Sequence, residues 1–173
     1  MTEYQERRTR TVTWSDPAPA LRAAQTMSGI AYLKAIQSGE LPPPPIAALI
    51  GMALVEVSEG RVVFSAETAE YHYNPLGTVH GGIAATLLDS AMGCAVQSLL
   101  PAGTGYTTLE IKVNYLRPIT SATGTVTCEG TIIHLGGRIA TAEARLTDAT
   151  GKLYAHGTTT CLLLRPSSSQ KGS

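Results

Sequence analysis

The spacing of hydrophobic and polar positions changes several times along the chain, and each change marks an element. Residues 21–37 carry apolar side chains at Leu21, Ala24, Met27, Ala31 and Leu33 with helix formers between them. Ser38-Gly39 ends the pattern as a helix stop, which predicts one amphipathic helix. Prolines fill positions 42–45 and impose an extended linker, because proline fixes φ and turns the residue before it away from helix. Residues 51–57 and 61–68 are rich in β-branched side chains and are joined by Ser58-Glu59-Gly60, which predicts an antiparallel hairpin. The apolar run 83–100 follows His80-Gly81-Gly82 and closes at Pro101-Ala102-Gly103, as one helix of about five turns. Its apolar residues leave no solvated stripe, so enclosure on all sides is expected. From Tyr106 the period becomes two: Leu109, Ile111, Val113 and Tyr115 share one face, and Glu110, Lys112 and Asn114 the other. Three further strands are expected at 123–134, 138–147 and 153–164. Two strands, a helix and four strands with short links predict an α+β fold, an antiparallel sheet of five to six strands packed on one long helix. Residues 1–20 read as a loosely packed or disordered arm. The division expected is 1–45 for arm, helix and proline linker, 46–165 for the domain, and 166–173 for a flexible tail.

Composition narrows the function classes. Hydrophobic residues make up 43% and charged residues 15% of 173, which fits one folded domain. Thirteen basic and thirteen acidic residues cancel, which excludes the electrostatic footprint of a nucleic-acid binder. The N-terminus lacks the apolar region of a secretory signal, and Asp89, Ser90 and Gln97 interrupt the long apolar run, so neither export nor a membrane span is expected. Cys94, Cys128 and Cys161 are odd in number and without metal spacing; free thiols in the cytoplasm are the expectation.

Asp89 is the most informative residue, because a carboxylate inside an apolar helix incurs a desolvation cost that something must offset. It either pairs with an arginine, caps a neighbouring backbone, or does chemistry. Gly81 and Gly82 stand where the same helix presents unpaired N–H groups and the positive end of its dipole, a place able to hold an oxyanion. A tight turn into the helix explains the glycines as well. His72, His134 and His156 are scattered and read as surface or strand histidines, with no metal site. Arg117 and Arg138 suit phosphate recognition, or are solvated arginines at strand ends.

The stretch Asn74-Pro-Leu-Gly-Thr-Val-His80-Gly81-Gly82-Ile-Ala-Ala-Thr-Leu-Leu-Asp89 resembles the signature of the PaaI-like thioesterases of the hotdog superfamily. The likeness continues through Thr107-Thr108-Leu-Glu-Ile-Lys-Val-Asn-Tyr-Leu-Arg117-Pro118 and Gly137-Arg138-Ile-Ala-Thr-Ala-Glu143, so it spans roughly 46–164. It implies a hotdog fold with an N-terminal helical extension, and hydrolysis of an acyl-CoA carrying an aromatic or a short to medium-chain acyl group. Asp89 would be general base or nucleophile, Gly81 N–H the polarising donor, Asn74 a residue placing water or substrate, and His80 a support of the loop. A Thr at the start of the next strand would orient the water or carboxylate; the alignment favours Thr108, while strand parity favours Thr107 unless a bulge intervenes. Gly82, Arg117 and Arg138 would contact substrate, with no metal or redox cofactor. Two rivals stand: a hotdog hydratase or dehydratase using a His and a carboxylate, and a non-catalytic acyl-CoA binder. Gly82 and Asp89 lie seven residues apart, about 10 Å along one helix, whereas groups serving one carbonyl must approach within about 3–3.5 Å. Sites shared between two-fold-related subunits follow, in a dimer or a dimer of dimers.

Overall fold

Each turn residue and cap places one element against the next. A computed structural model describes residues 7–165, and the tail expected at 166–173 lies outside the described residues. Helix α1 (Ala18–Ala24) and helix α2 (Gly29–Ser38) replace the single helix expected over 21–37. The break falls at 25–28, where Ser28 caps α2 by accepting from Ala31 N–H at 3.4 Å. Tertiary docking overrides the local pattern there: Gly29 N–H donates to Leu100 O at 2.9 Å, and a Cβ on Gly29 would lie 1.6 Å from Gln97 O. The proline run is extended and then supplies the first residue of α3 (Pro45–Ile50), where the missing N–H costs nothing.

Strands β1 (Met52–Ser58) and β2 (Arg61–Glu67) form the expected hairpin, followed by a 3-10 turn at Glu70–His72 and then α4 (Gly81–Gln97). Strands β3 (Gly105–Tyr115), β4 (Thr125–Leu135), β5 (Ile139–Asp148) and β6 (Leu153–Leu164) complete one antiparallel sheet in the order β1-β2-β4-β5-β6-β3. The sheet wraps α4, and the approach is closest at β4, where a Cβ on Gly130 would lie 2.3 Å from the Ala91 carbonyl. Only glycine permits that backbone contact.

Three expectations need correction. The described part of the arm, 7–20, is anchored, while 1–6 lie outside the described residues: Arg10 donates to Ala48 O and Leu49 O at 3.0 and 2.6 Å and stacks 4.1 Å above the Tyr71 ring, and Arg8 pairs with Glu70. His72 is neither a surface nor a strand residue. It is 5% exposed, its Nε2 meets Ile50 O at 2.9 Å, and burial lowers its pKa. Finally, α4 is not enclosed all round: Thr86, Asp89, Ser90 and Cys94 are half-buried on the side away from the sheet.

Candidate active site

The loop before α4 is built by Asn74. Its Oδ1 accepts from Leu76 N–H at 2.9 Å and its Nδ2 donates to Thr78 Oγ1 at 3.0 Å, closing a turn on itself. The side chain is therefore occupied with its own loop rather than aimed at Asp89. His80 caps α4: its Nδ1 accepts from Gly82 N–H at 2.9 Å. This bond engages Gly82, one of the two glycines expected to meet substrate. Gly81 N–H has no acceptor among the described residues, while its carbonyl accepts from the Tyr115 hydroxyl at 3.0 Å.

Asp89 sits two turns further along α4. Thr108 Oγ1 donates to Asp89 Oδ1 at 3.0 Å. Strict alternation would have put Thr107 on that face. The register of β3 against β6 shifts between Thr108 and Glu110, so a bulge at Leu109 turns Thr108 inward and leaves Thr107 exposed. Asp89 borders a cavity of about 640 Å³, together with Ser90, Cys94, Gln97 and Tyr106. Burial, with Asp89's charge adding to it, pushes the Cys94 thiol up to about 12. Burial, and next Cys94, raise the phenols of Tyr32 and Tyr106. All three stay protonated near neutral pH.

Other expected contacts do not come together within one protomer. His80 and Asp89 are nine residues apart along α4 and its cap, roughly 13 Å along the axis, so within one protomer they form no pair of the hydratase kind. Arg117 donates to Leu153 O at the start of β6, whereas Arg138 O accepts from Leu163 N–H at its end. Within one protomer the two arginines therefore lie at opposite ends of β6. Tyr115, Tyr106 and the residues of α2 and α3 that line the cavity were not singled out in the sequence. Tyr115 falls inside the Asn-Tyr-Leu-Arg-Pro run of the family likeness, the one signal that pointed to it.

The Thioesterase superfamily profile matches residues 76–155. The chain is 31% identical over 104 residues to the 1,4-dihydroxy-2-naphthoyl-CoA hydrolase of Listeria monocytogenes, across 60% of this chain and 83% of that one. It is 30% identical over 107 residues to human acyl-coenzyme A thioesterase 13, across 61% and 75%. Alignments with the curated relatives span 66 to 93% of their lengths. Among solved structures, the Escherichia coli PaaI protein of the phenylacetic acid degradation operon superposes with a TM-score of 0.68 at 21% identity, covering 80% of this chain and 96% of that one, a likeness of fold. Profile, relatives and wrapped-helix architecture agree, and the chain belongs to the thioesterase superfamily, with its hotdog fold.

Proposed function

We propose that the protein hydrolyses an acyl-CoA thioester to the free acid and CoA, with Asp89 either taking a proton from the attacking water or attacking the carbonyl itself. The observation that carries this reading is Asp89, held by Thr108 at the edge of a largely apolar cavity. When water attacks, a C–O bond forms at the thioester carbonyl, the C–S bond breaks, and CoA leaves as a thiolate that takes up a proton. When Asp89 attacks, the C–S bond breaks as a mixed anhydride forms on Asp89, and water then cleaves that anhydride to the free acid and restores the carboxylate. Thiolate leaves readily, so a positioned water, a carboxylate and a donor to the oxygen that gains charge are sufficient. No metal or redox cofactor enters this scheme. Gly81 N–H is the proposed donor, since His80 engages that of Gly82. Relatives named for CoA thioesters support the substrate class.

Gly81 and Asp89 are eight residues apart on one helix, roughly 12 Å, too far to serve one carbonyl. In the proposed assembly the α4 helices of two protomers run antiparallel, and Gly81 of each comes to Asp89 of the other. An open strand edge at β3, where Leu109 and Tyr115 are each 56% exposed and Ile111 36%, supports pairing of two copies there. Either Arg117 or Arg138 then meets the CoA phosphates of a given site, in a dimer or a dimer of dimers.

The test is thiol release over acetyl-, hexanoyl-, decanoyl- and phenylacetyl-CoA, with Gly81→Pro and Gly81→Ala beside the wild type. Proline at a first helical position removes the N–H without breaking the helix, and the extended backbone of His80 (ψ 133°) suits a following proline. Both substitutions put a Cβ about equally close to the Tyr115 ring, 3.2 Å away, so their difference isolates the N–H. The expected loss is about 10²–10³-fold for proline and far less for alanine. Acyl-CoA binding without thiol release from any substrate would replace this reading with a non-catalytic binder.

A further inference from the structure

Resting on the thioesterase reading, we propose that the N-terminal extension, with Ile36 among its roof residues, roofs the acyl-binding cavity and makes the enzyme selective for an extended aliphatic acyl chain of medium length. The extension lies before the segment matched by the family profile, which begins at residue 76. It nonetheless forms the wall facing α4: Tyr32 and Ile36 of α2, Pro43 of the linker, and Ile46 of α3 line the same cavity as Asp89. The floor follows α4 from Asp89 through Cys94 to Gln97. That is eight residues, about 12 Å at the helical rise, a length suited to an extended chain rather than a planar ring.

The roof is fixed at three places. Gly29 brings the start of α2 into backbone contact with the end of α4, where any side chain would collide with Gln97 O. Gln37 Nε2 donates to Val55 O of the edge strand β1 at 2.7 Å. Arg10 and His72 hold the last carbonyls of α3. A cavity held in this way keeps its size, and size is what discriminates among acyl groups.

Which part of the substrate enters follows from polarity. CoA is hydrophilic and stays towards solvent, the thioester must reach Asp89, and the apolar acyl tail remains for the space beyond. At about 30 Å³ per methylene-sized group, an acetyl group leaves most of the 640 Å³ empty, whereas a chain of about ten carbons takes roughly half. Each methylene moved from water onto apolar walls is worth about fourfold in kcat/KM. Preference for decanoyl over acetyl of two orders of magnitude or more is expected.

The experiment measures kcat/KM on acetyl-, hexanoyl-, decanoyl- and phenylacetyl-CoA for the full chain and for Ile36→Trp and Ile36→Ala, together with calorimetric binding of the non-hydrolysable thioether decyl-CoA. Ile36→Trp fills the roof and should lower kcat/KM on decanoyl-CoA at least tenfold more than on acetyl-CoA. Ile36→Ala removes wall instead and should narrow the decanoyl preference at least threefold, which keeps the proposal testable if the tryptophan variant folds poorly. A wild type that prefers phenylacetyl-CoA, or variants whose profiles run parallel to the wild type, would overturn the assignment while leaving thioester hydrolysis intact. Conversely, no hydrolysis of any substrate, with decyl-CoA bound by the wild type and bound at least tenfold more weakly by Ile36→Trp, would sink the catalytic reading and sustain the cavity assignment.

Discussion

On the side of α4 that meets the sheet, Leu88, Ala91, Met92, Ala95 and Val96 have no solvent exposure, whereas Thr86, Asp89, Ser90 and Cys94 on the opposite side are half-buried. The sheet side is shaped for close approach, down to the missing side chain of Gly130 against Ala91. The far side keeps polar groups at partial exposure, next to a cavity and under a separate roof. On the proposed reading, one helix thus divides stability from chemistry by face. Hydropathy alone does not separate the faces, because alanine and cysteine occupy the chemical side too.

The division predicts that substitutions on the far face abolish activity with little change in melting, and those on the sheet face the reverse. The largest effect is expected for Asp89→Asn: about two to four orders of magnitude in kcat with the fold retained. A purified, folded variant with near-normal turnover would remove Asp89 from the mechanism. Next, Thr108→Val deletes the one hydroxyl among the described residues that is bonded to that carboxylate, and a loss of roughly tenfold is expected from a hydrogen bond to a charged group. Thr108→Ser should restore most of the rate, since it keeps the donor; equal losses for both would mean that Thr108 acts through packing.

Gly130→Ala sharpens the comparison from the other side. A Cβ there would press on the Ala91 carbonyl and Met92 N at 2.3 and 2.7 Å. Backbone can yield only by moving β4 off α4, at a cost of roughly 1–3 kcal/mol, or about 2–4 °C of Tm per kcal/mol in a chain of this size. Activity per folded molecule should stay within about twofold. Unchanged melting with lost activity would contradict the split between faces.

From β1 onward, the order and type of the strands and of α4 were legible in the sequence because strong periodicity and glycine or proline punctuation coincide, as at Ser58-Glu59-Gly60 and at His80-Gly81-Gly82, whereas α3 was not foreseen. What escaped were features decided by distant partners. The helix break at 25–28 serves the contact of Gly29 with Gln97, 68 residues further along the chain, which no local propensity reports. A bulge at Leu109 reversed the parity of β3, and no local pattern announced it. His72 looked like one more scattered histidine; the buried bond to Ile50 O depends on α3, which lies on the other side of a hairpin. At the site, the residue types Asp, His and Gly stood out as exceptions within an apolar run, but their partners did not. Gly82 looked as available as Gly81 until His80 was seen to engage its N–H.

The central claim is that each active site draws on two subunits, and mixing two inactive variants tests it directly. Asp89→Ala lacks the carboxylate and Gly81→Pro lacks the N–H donor; each is expected to be inactive alone. After subunit exchange, random pairing makes about half of the dimers hybrid, and each hybrid holds one of its two sites intact, so about a quarter of wild-type activity should return for an isologous dimer. Activity that stays at the level of the separate variants, with native mass spectrometry showing that hybrids formed, would contradict the shared site.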